Sequence, residues 1–147
     1  MTDRHQDTPK HLAALIENVA RIIQIRAHVH GVHPVQWSAL RYFLRAGVKA
    51  RTVNGLARYQ GTTATPASRT IGALISKSYL KATTDPKDRR SKIIEVTPQG
   101  RKILKRDPLQ EIEAALARLE TRDQVALSAL MEKMLFSLQK IDDSKEE

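Results

Sequence analysis

The chain has 147 residues, one domain's length, with 41% hydrophobic and 28% charged residues and a net charge of +9 at pH 7, a composition that supports a folded core. It contains no cysteine, which excludes a disulfide, a thiol sensor or nucleophile, and a Cys-ligated zinc site. Its longest apolar run, Leu12-Ala13-Ala14-Leu15-Ile16, falls far short of the ~18 residues a membrane span needs. With no charged-then-apolar leader at the start, the expected location is the cytoplasm.

In chain order, Thr8 and Pro9 predict a helix start. Leu12, Leu15, Ile16, Val19, Ile22, Ile23 and Val29 follow at helical spacing, and Gly31 is the expected stop. An apolar stripe that long needs a large partner surface. A second helix is predicted from Pro34 to Ala46, ended by Gly47, with Trp37, Leu40, Phe43 and Leu44 on one face. That face reads as core, the alternative being a wall of a small-molecule pocket. Thr52 caps a short helix that Gly61 ends in the left-handed region, and Thr63 caps the next, with Pro66 inside its first turn. In this helix Ala67, Ile71, Leu74 and Ile75 point one way. Thr65, Ser68, Arg69, Gly72 and Ser76 point the other, giving a small, polar face with one Arg and no acid.

Two strand-like runs follow, 79–83 and 93–97, separated by the basic turn Asp85-Pro86-Lys87-Asp88-Arg89-Arg90-Ser91-Lys92. Thr97 and Pro98 start a further helix that Pro108 interrupts. It either kinks there or stops and restarts under an Asp107 cap, and a kink or a break with the axis roughly continued is the favoured form. Leu109, Ile112, Leu116 and Leu119 are the next apolar set. Thr121 with Gln124 forms a capping box ahead of a stripe of Leu127, Leu130, Met131, Met134, Leu138 and Ile141.

The charge is unevenly placed: +3 over residues 1–46, +11 over 47–106 and −5 over 107–147. A central excess points to a polyanionic partner, the alternative being a solvated basic face. The order helix, helix, short helix, turn, helix, hairpin is a winged helix-turn-helix, so the fold class is mainly α with a small β-hairpin wing (α+β). One α-helix fits the major groove of B-form DNA and reads base edges there. The helix beginning at Thr63 is the candidate reader. Its first N–H groups and the hydroxyls of Thr62 and Thr63 can meet a phosphate, and Arg69 can reach a guanine edge or a phosphate. A thin loop tipped with Arg fits the narrow, strongly negative minor groove.

Here a specific resemblance appears. Leu56-Ala57, Gly61-Thr62-Thr63, Arg69, Leu74 and the run Asp88-Arg89-Arg90-Ser91-Lys92-Ile93-Ile94-Glu95-Val96-Thr97, followed by Gly100, resemble the MarR family of bacterial transcription regulators over the whole chain. The resemblance implies that Arg90 enters the minor groove and that Asp88 braces the wing tip by pairing with a nearby Arg. It implies that Arg89 and Lys92 contact backbone phosphates, with neighbouring Lys87 in the same DNA-binding wing. It implies that Thr65, Pro66, Ser68 and Arg69 lie on the base-reading face. It further implies dimerisation through an N- and C-terminal helical layer, residues 1–33 and 98–147, around a DNA-binding domain at 34–97, the whole making a single compact unit. Leu12, Leu15, Ile16, Leu116, Leu127, Leu130, Met134 and Leu138 would then be pairing residues. The expected partners are pseudo-palindromic double-stranded DNA, a second copy of the chain and a small, often phenolic, effector that releases a repressor. The second reading is a winged-helix DNA-binding protein with no small-molecule ligand, acting architecturally or through a protein partner. The family often carries Gly where Ser78 stands and Arg where Ala82 stands.

Helix placement nominates Trp37, Tyr42, His11 and His33 for a ligand pocket. His28, His30 and His33 have a spacing that tempts a metal reading, but positions 28 and 30 diverge on a continuous helix, and imidazoles near a helix C-terminus are favoured without a metal. No metal, other cofactor or enzymatic activity is expected. There is no phosphate-binding glycine loop, no paired carboxylates with suitable His and no Ser–His–acid order.

Overall fold

A computed structural model describes residues 8–143. It contains α1 (Thr8–Arg26), α2 (Pro34–Arg45), a 3₁₀ turn (Val48–Ala50), α3 (Val53–Tyr59), α4 (Ala64–Ser76), β1 (Leu80–Asp85), β2 (Asp88–Val96), α5 (Pro98–Leu104), α6 (Leu109–Leu116) and α7 (Thr121–Asp143). The chain divides into two compact units, one ending at Leu109 and the other beginning at Gln110.

The core of the first unit is built where the apolar spacing places it. Trp37, Ala39, Leu40 and Phe43 of α2 meet Leu56 and Ala57 of α3, Ala67, Ile71 and Leu74 of α4, and Leu80 and Ile94 of the hairpin. Trp37 and Leu40 are fully buried. Trp37 is therefore core, and its indole N–H finds no acceptor among the described residues. Ile75, expected on the buried face of α4, is exposed: it lies beyond Leu74 at the edge of the stripe, where the hairpin has already taken over the packing.

Several boundaries move. The first helix ends at Arg26, not at Gly31. Ala27 turns into the core, and a bridge between Val29 and Val32 tightens the following turn, with His30 and Gly31 both at positive φ. Gly47 does not stop α2 in a left-handed conformation; it precedes the 3₁₀ turn at φ −65°. Thr52 caps α3 as expected, accepting from the Gly55 N–H at 3.0 Å, and Gly61 ends the segment at φ +62°. The strands are longer than the apolar runs, leaving only Pro86 and Lys87 as the turn. Arg89, Arg90 and Lys92 thus belong to β2, and the ladder shifts register between Thr84 and Asp85. Alternation ends where both faces are solvated, so hydropathy underestimates the wing.

The left-handed residue after α4 is Ser78, at φ +62°. Its N–H donates to Ile75 and the next N–H to Leu74, a helix end that favours glycine. Ser78→Gly is expected to stabilise the protein by up to about 1 kcal/mol, offset in part by the freer unfolded chain. Thermal unfolding would show it as a rise of a few degrees; a lower melting temperature would contradict the strain.

Thr97 caps α5 through the Gly100 N–H at 2.9 Å and donates its own hydroxyl to the Ser78 carbonyl at 2.6 Å. α5 packs against α2 and β2, so residues 98–104 sit with the winged unit rather than in a separate layer. The helix does not kink through Pro108: α5 ends at Leu104, and Asp107 caps the restart by accepting from the Leu109 N–H at 2.9 Å. Arg41 of α2 donates from Nε and Nη2 to the two oxygens of Asp107, both at 2.6 Å and largely out of solvent. A forked pair of this kind holds the break in place.

In the second unit, α7 starts with Thr121 as its first helical residue. The expected capping box is replaced: the Gln124 side chain reaches back to the Leu119 carbonyl at 2.9 Å.

Candidate nucleic-acid interface

Two elements of the first unit carry the residues singled out from the sequence. The buried stripe Ala67, Ile71 and Leu74 fixes the roll of α4 against α2 and α3. The opposite face is therefore turned to solvent: Thr62, Thr63, Thr65, Pro66, Ser68 and Arg69 are all exposed. Thr63 occupies the cap position with extended backbone, but its side chain makes no cap hydrogen bond. The hydroxyl remains available at the start of the helix. Gly72 has nothing within 4 Å of where a Cβ would stand, so the middle of this face is open.

The wing projects the second group. Lys87, Asp88, Arg89, Arg90 and Lys92 are exposed along it. Asp88 does brace the tip, but its bonds go to the Arg90 backbone N–H (3.0 Å) and the Ser91 hydroxyl (2.9 Å), not to an Arg side chain. The Arg90 N–H, and then the Ser91 hydroxyl, hold its carboxyl below the ordinary carboxylate range. The geometric reason is register: with strand pairing reaching the turn, Asp88 faces its own backbone two residues on. Lys92 Nζ donates across the ladder to Thr84 Oγ1 at 3.0 Å. The guanidinium groups of Arg69, Arg89 and Arg90 form no ion pair among the described residues, which leaves their charge uncompensated.

The base of the wing contains an arrangement that sequence reasoning missed. Arg51 lends its carbonyl to the Ile94 N–H at 2.9 Å, extending the hairpin by one bond, and its Nε donates to the Ala46 carbonyl at 2.9 Å. Glu95 bridges Lys81 (3.3 Å) and Arg51 (3.7 Å). No periodicity marks Arg51, since it precedes the Thr52 cap in an irregular stretch; Glu95, an acid beyond the basic run of the wing, was the available signal.

The residues nominated for a ligand pocket lie in different settings. Trp37 is sealed in the core. Tyr42 donates its hydroxyl to the Ala50 carbonyl at 2.7 Å and stacks on Tyr59 at 5.0 Å. His33 begins α2 and is exposed, with its Nδ1 3.4 Å from that of His28. His11 is exposed on α1. A cavity of about 210 Å³ at the wing base is lined by Phe43, Leu44, Arg51, Lys81, Glu95, Val96 and Arg101, none of the four nominated. Among the described residues no three His, Asp or Glu side chains are grouped to hold a metal, and no helix is long and apolar enough to cross a membrane.

Of the residues expected to pair with a second copy, Leu12, Leu15 and Ile16 of α1 are exposed, as are Leu116 of α6 and Leu127, Leu130 and Leu138 of α7; Met134 is half-buried. α1 buries none of its residues.

Comparison with known proteins places this geometry. A model of the MarR family matches residues 30–91, the segment from the turn before α2 into the wing. No curated protein matches the chain in sequence. Among solved structures, the chain is similar to a MarR transcriptional regulator from Methanosarcina mazei Go1, at 21% identity and a TM-score of 0.73 over 90% of this chain and 99% of that one. It is similar to the S. aureus MepR–DNA complex, at 20% identity and a TM-score of 0.68 over 85% and 96%. It is also similar to Bordetella bronchiseptica BpsR, whose DNA binding is regulated by 6-hydroxynicotinic acid, at 18% identity and a TM-score of 0.65 over 91% and 96%. In fold, the chain is a MarR-type winged helix-turn-helix protein, and over residues 30–91 it is similar in sequence to that family.

Proposed function

We propose that the protein is a cytoplasmic, sequence-specific transcriptional regulator that binds pseudo-palindromic duplex DNA as a symmetric dimer, and that it represses until a small ligand releases it. The observation that carries this reading is the pairing of two exposed features on one compact unit. One is an acid-free polar helix face with a single unpaired Arg69, and the other is a wing whose Arg89 and Arg90 are unpaired. Solvent alone imposes no need for either. A duplex uses both, since the helix face matches base edges in the major groove and the cationic finger matches the potential of the minor groove.

Thr62 and Thr63, with the free first-turn N–H groups of α4, are assigned to a backbone phosphate. Thr65, Pro66, Ser68 and Arg69 are assigned to bases. Lys87, Arg89, Arg90 and Lys92 are assigned to the minor groove and its flanking phosphates, with Asp88 holding their strand in shape. The apolar residues standing in water on α1, α6 and α7 are assigned to pairing with a second copy. The DNA complex of MepR and the ligand-regulated DNA binding of BpsR, proteins of the same fold, support the nucleic-acid and effector parts of the reading.

Selection of bound sequences from random duplex DNA tests the whole proposal: an enriched inverted repeat, with half-sites about one helical turn (~34 Å) apart, is expected. Two substitutions then separate the roles. Arg90→Ala should weaken binding to every sequence and flatten the dependence of log K on log salt, by up to about 0.9 per lost phosphate contact. Arg69→Ala should change preference at one position per half-site by about 1–3 kcal/mol if it pairs with guanine. An unchanged salt slope for Arg90→Ala would remove the wing from the interface.

A further inference from the structure

The cavity at the wing base lies away from the exposed face of α4 and from the wing tip, and four of its seven lining residues are charged: Arg51, Lys81, Arg101 and Glu95. Three cations against one carboxylate leave two positive charges uncompensated. Arg51 is already oriented, through Nε to the Ala46 carbonyl, and its Nη1 keeps only a long 3.7 Å contact with Glu95. Lys81 is held 3.3 Å from the same carboxylate, its direct cross-strand neighbour. Arg101 makes no ion pair among the described residues. Phe43, Leu44 and Val96 complete the lining. The volume, about 210 Å³, is room for about seven waters.

From this arrangement we infer that the cavity binds a small dianion bearing oxyanion groups, a phosphate monoester or a short dicarboxylate. A dianion balances the two spare charges, and a planar guanidinium set in advance with two N–H groups free offers forked bonds to a phosphate or carboxylate at little ordering cost. A neutral aromatic would leave those charges unanswered. Arg51 also supplies the carbonyl that accepts from Ile94 of β2, and Lys81 and Glu95 are paired residues of the two wing strands, so the ligand grips the root of the wing. The inference deepens the effector part of the proposed function. Its test uses no DNA, so that failure of one is distinguishable from failure of the other.

Amide NMR titrations of the full chain with inorganic phosphate and with succinate, against sodium chloride at matched ionic strength, read occupancy directly. The expected result is saturable shifts centred on Arg51, Lys81, Glu95 and Arg101 for one of the two dianions and none for chloride; which one saturates identifies the ligand chemistry. Arg101→Gln should weaken that binding about tenfold or more, as loss of a charge-assisted bond does. Glu95→Gln should strengthen it, because the opposing carboxylate is gone. Melting curves verify that both variants fold, and if Glu95→Gln loosens the hairpin, Arg101→Gln alone decides. Non-saturating shifts, shifts equally large at Arg69, Arg89 and Arg90, or undiminished affinity in a folded Arg101→Gln protein would each overturn the assignment.

Discussion

Leu130→Glu is expected to convert the proposed dimer into monomers and to lower affinity for a two-half-site duplex by about 10²–10⁴-fold, the gain that linking two binding events provides. Leu130 is 62% exposed within its own chain, so a glutamate there leaves the fold of the protomer nearly untouched. In a two-fold interface the same residue appears from both sides. The substitution would therefore remove two apolar contacts and bury two unpaired carboxylates, a penalty no interface of ordinary size absorbs. Sedimentation and DNA binding should fail together while the melting of the protomer changes little. Unchanged sedimentation would take α7 out of the interface. Leu127, Met134 and Leu138 lie three, four and eight residues from Leu130, and their charged variants are expected to behave alike.

The largest effect on stability is expected at a small residue. A Cβ on Gly100 would stand 2.2 Å from the Tyr79 carbonyl oxygen and 2.8 Å from Val96 Cγ1. The first of these is backbone, fixed by its own hydrogen bond from the Thr97 N–H at 3.1 Å, and cannot rotate aside. Gly100→Ala should therefore push α5 off the hairpin and cost about 3 kcal/mol or more, a large share of a typical ~5–15 kcal/mol, read as a drop of roughly 10 °C in melting temperature. Gly72→Ala is the internal control. Nothing lies within 4 Å of its Cβ position, so the intrinsic preference of a helix for Ala over Gly should raise stability by up to about 1 kcal/mol. Equal behaviour of the two variants would contradict the close approach at Gly100.

Most of the helices and the chemistry of the two elements proposed to face DNA were legible in the residues themselves. Trp37, Leu40, Leu74 and Ile71 fall at helical spacing and are buried; Thr52 and Thr97 stand where a cap is needed and make those bonds. The polar face of α4 was readable because a helix that buries one stripe must show the other to water. These are local facts: propensity, capping and periodicity act over a few residues, and the one-dimensional order preserves them.

What the order of residues could not decide is contact between distant segments. The pair Arg41–Asp107 joins residues 66 positions apart and turns an ambiguous proline into a clean break. The length of the wing depends on cross-strand bonds that continue after hydropathy has stopped alternating. The strain at Ser78 belongs to its φ, and the intolerance at Gly100 to the carbonyl of Tyr79. The cluster of Arg51, Lys81, Glu95 and Arg101 exists only once the hairpin has folded onto the end of α2. Short-range preferences are carried by neighbours along the chain, whereas a charge cluster or a steric limit is a property of positions in space, which only packing assigns.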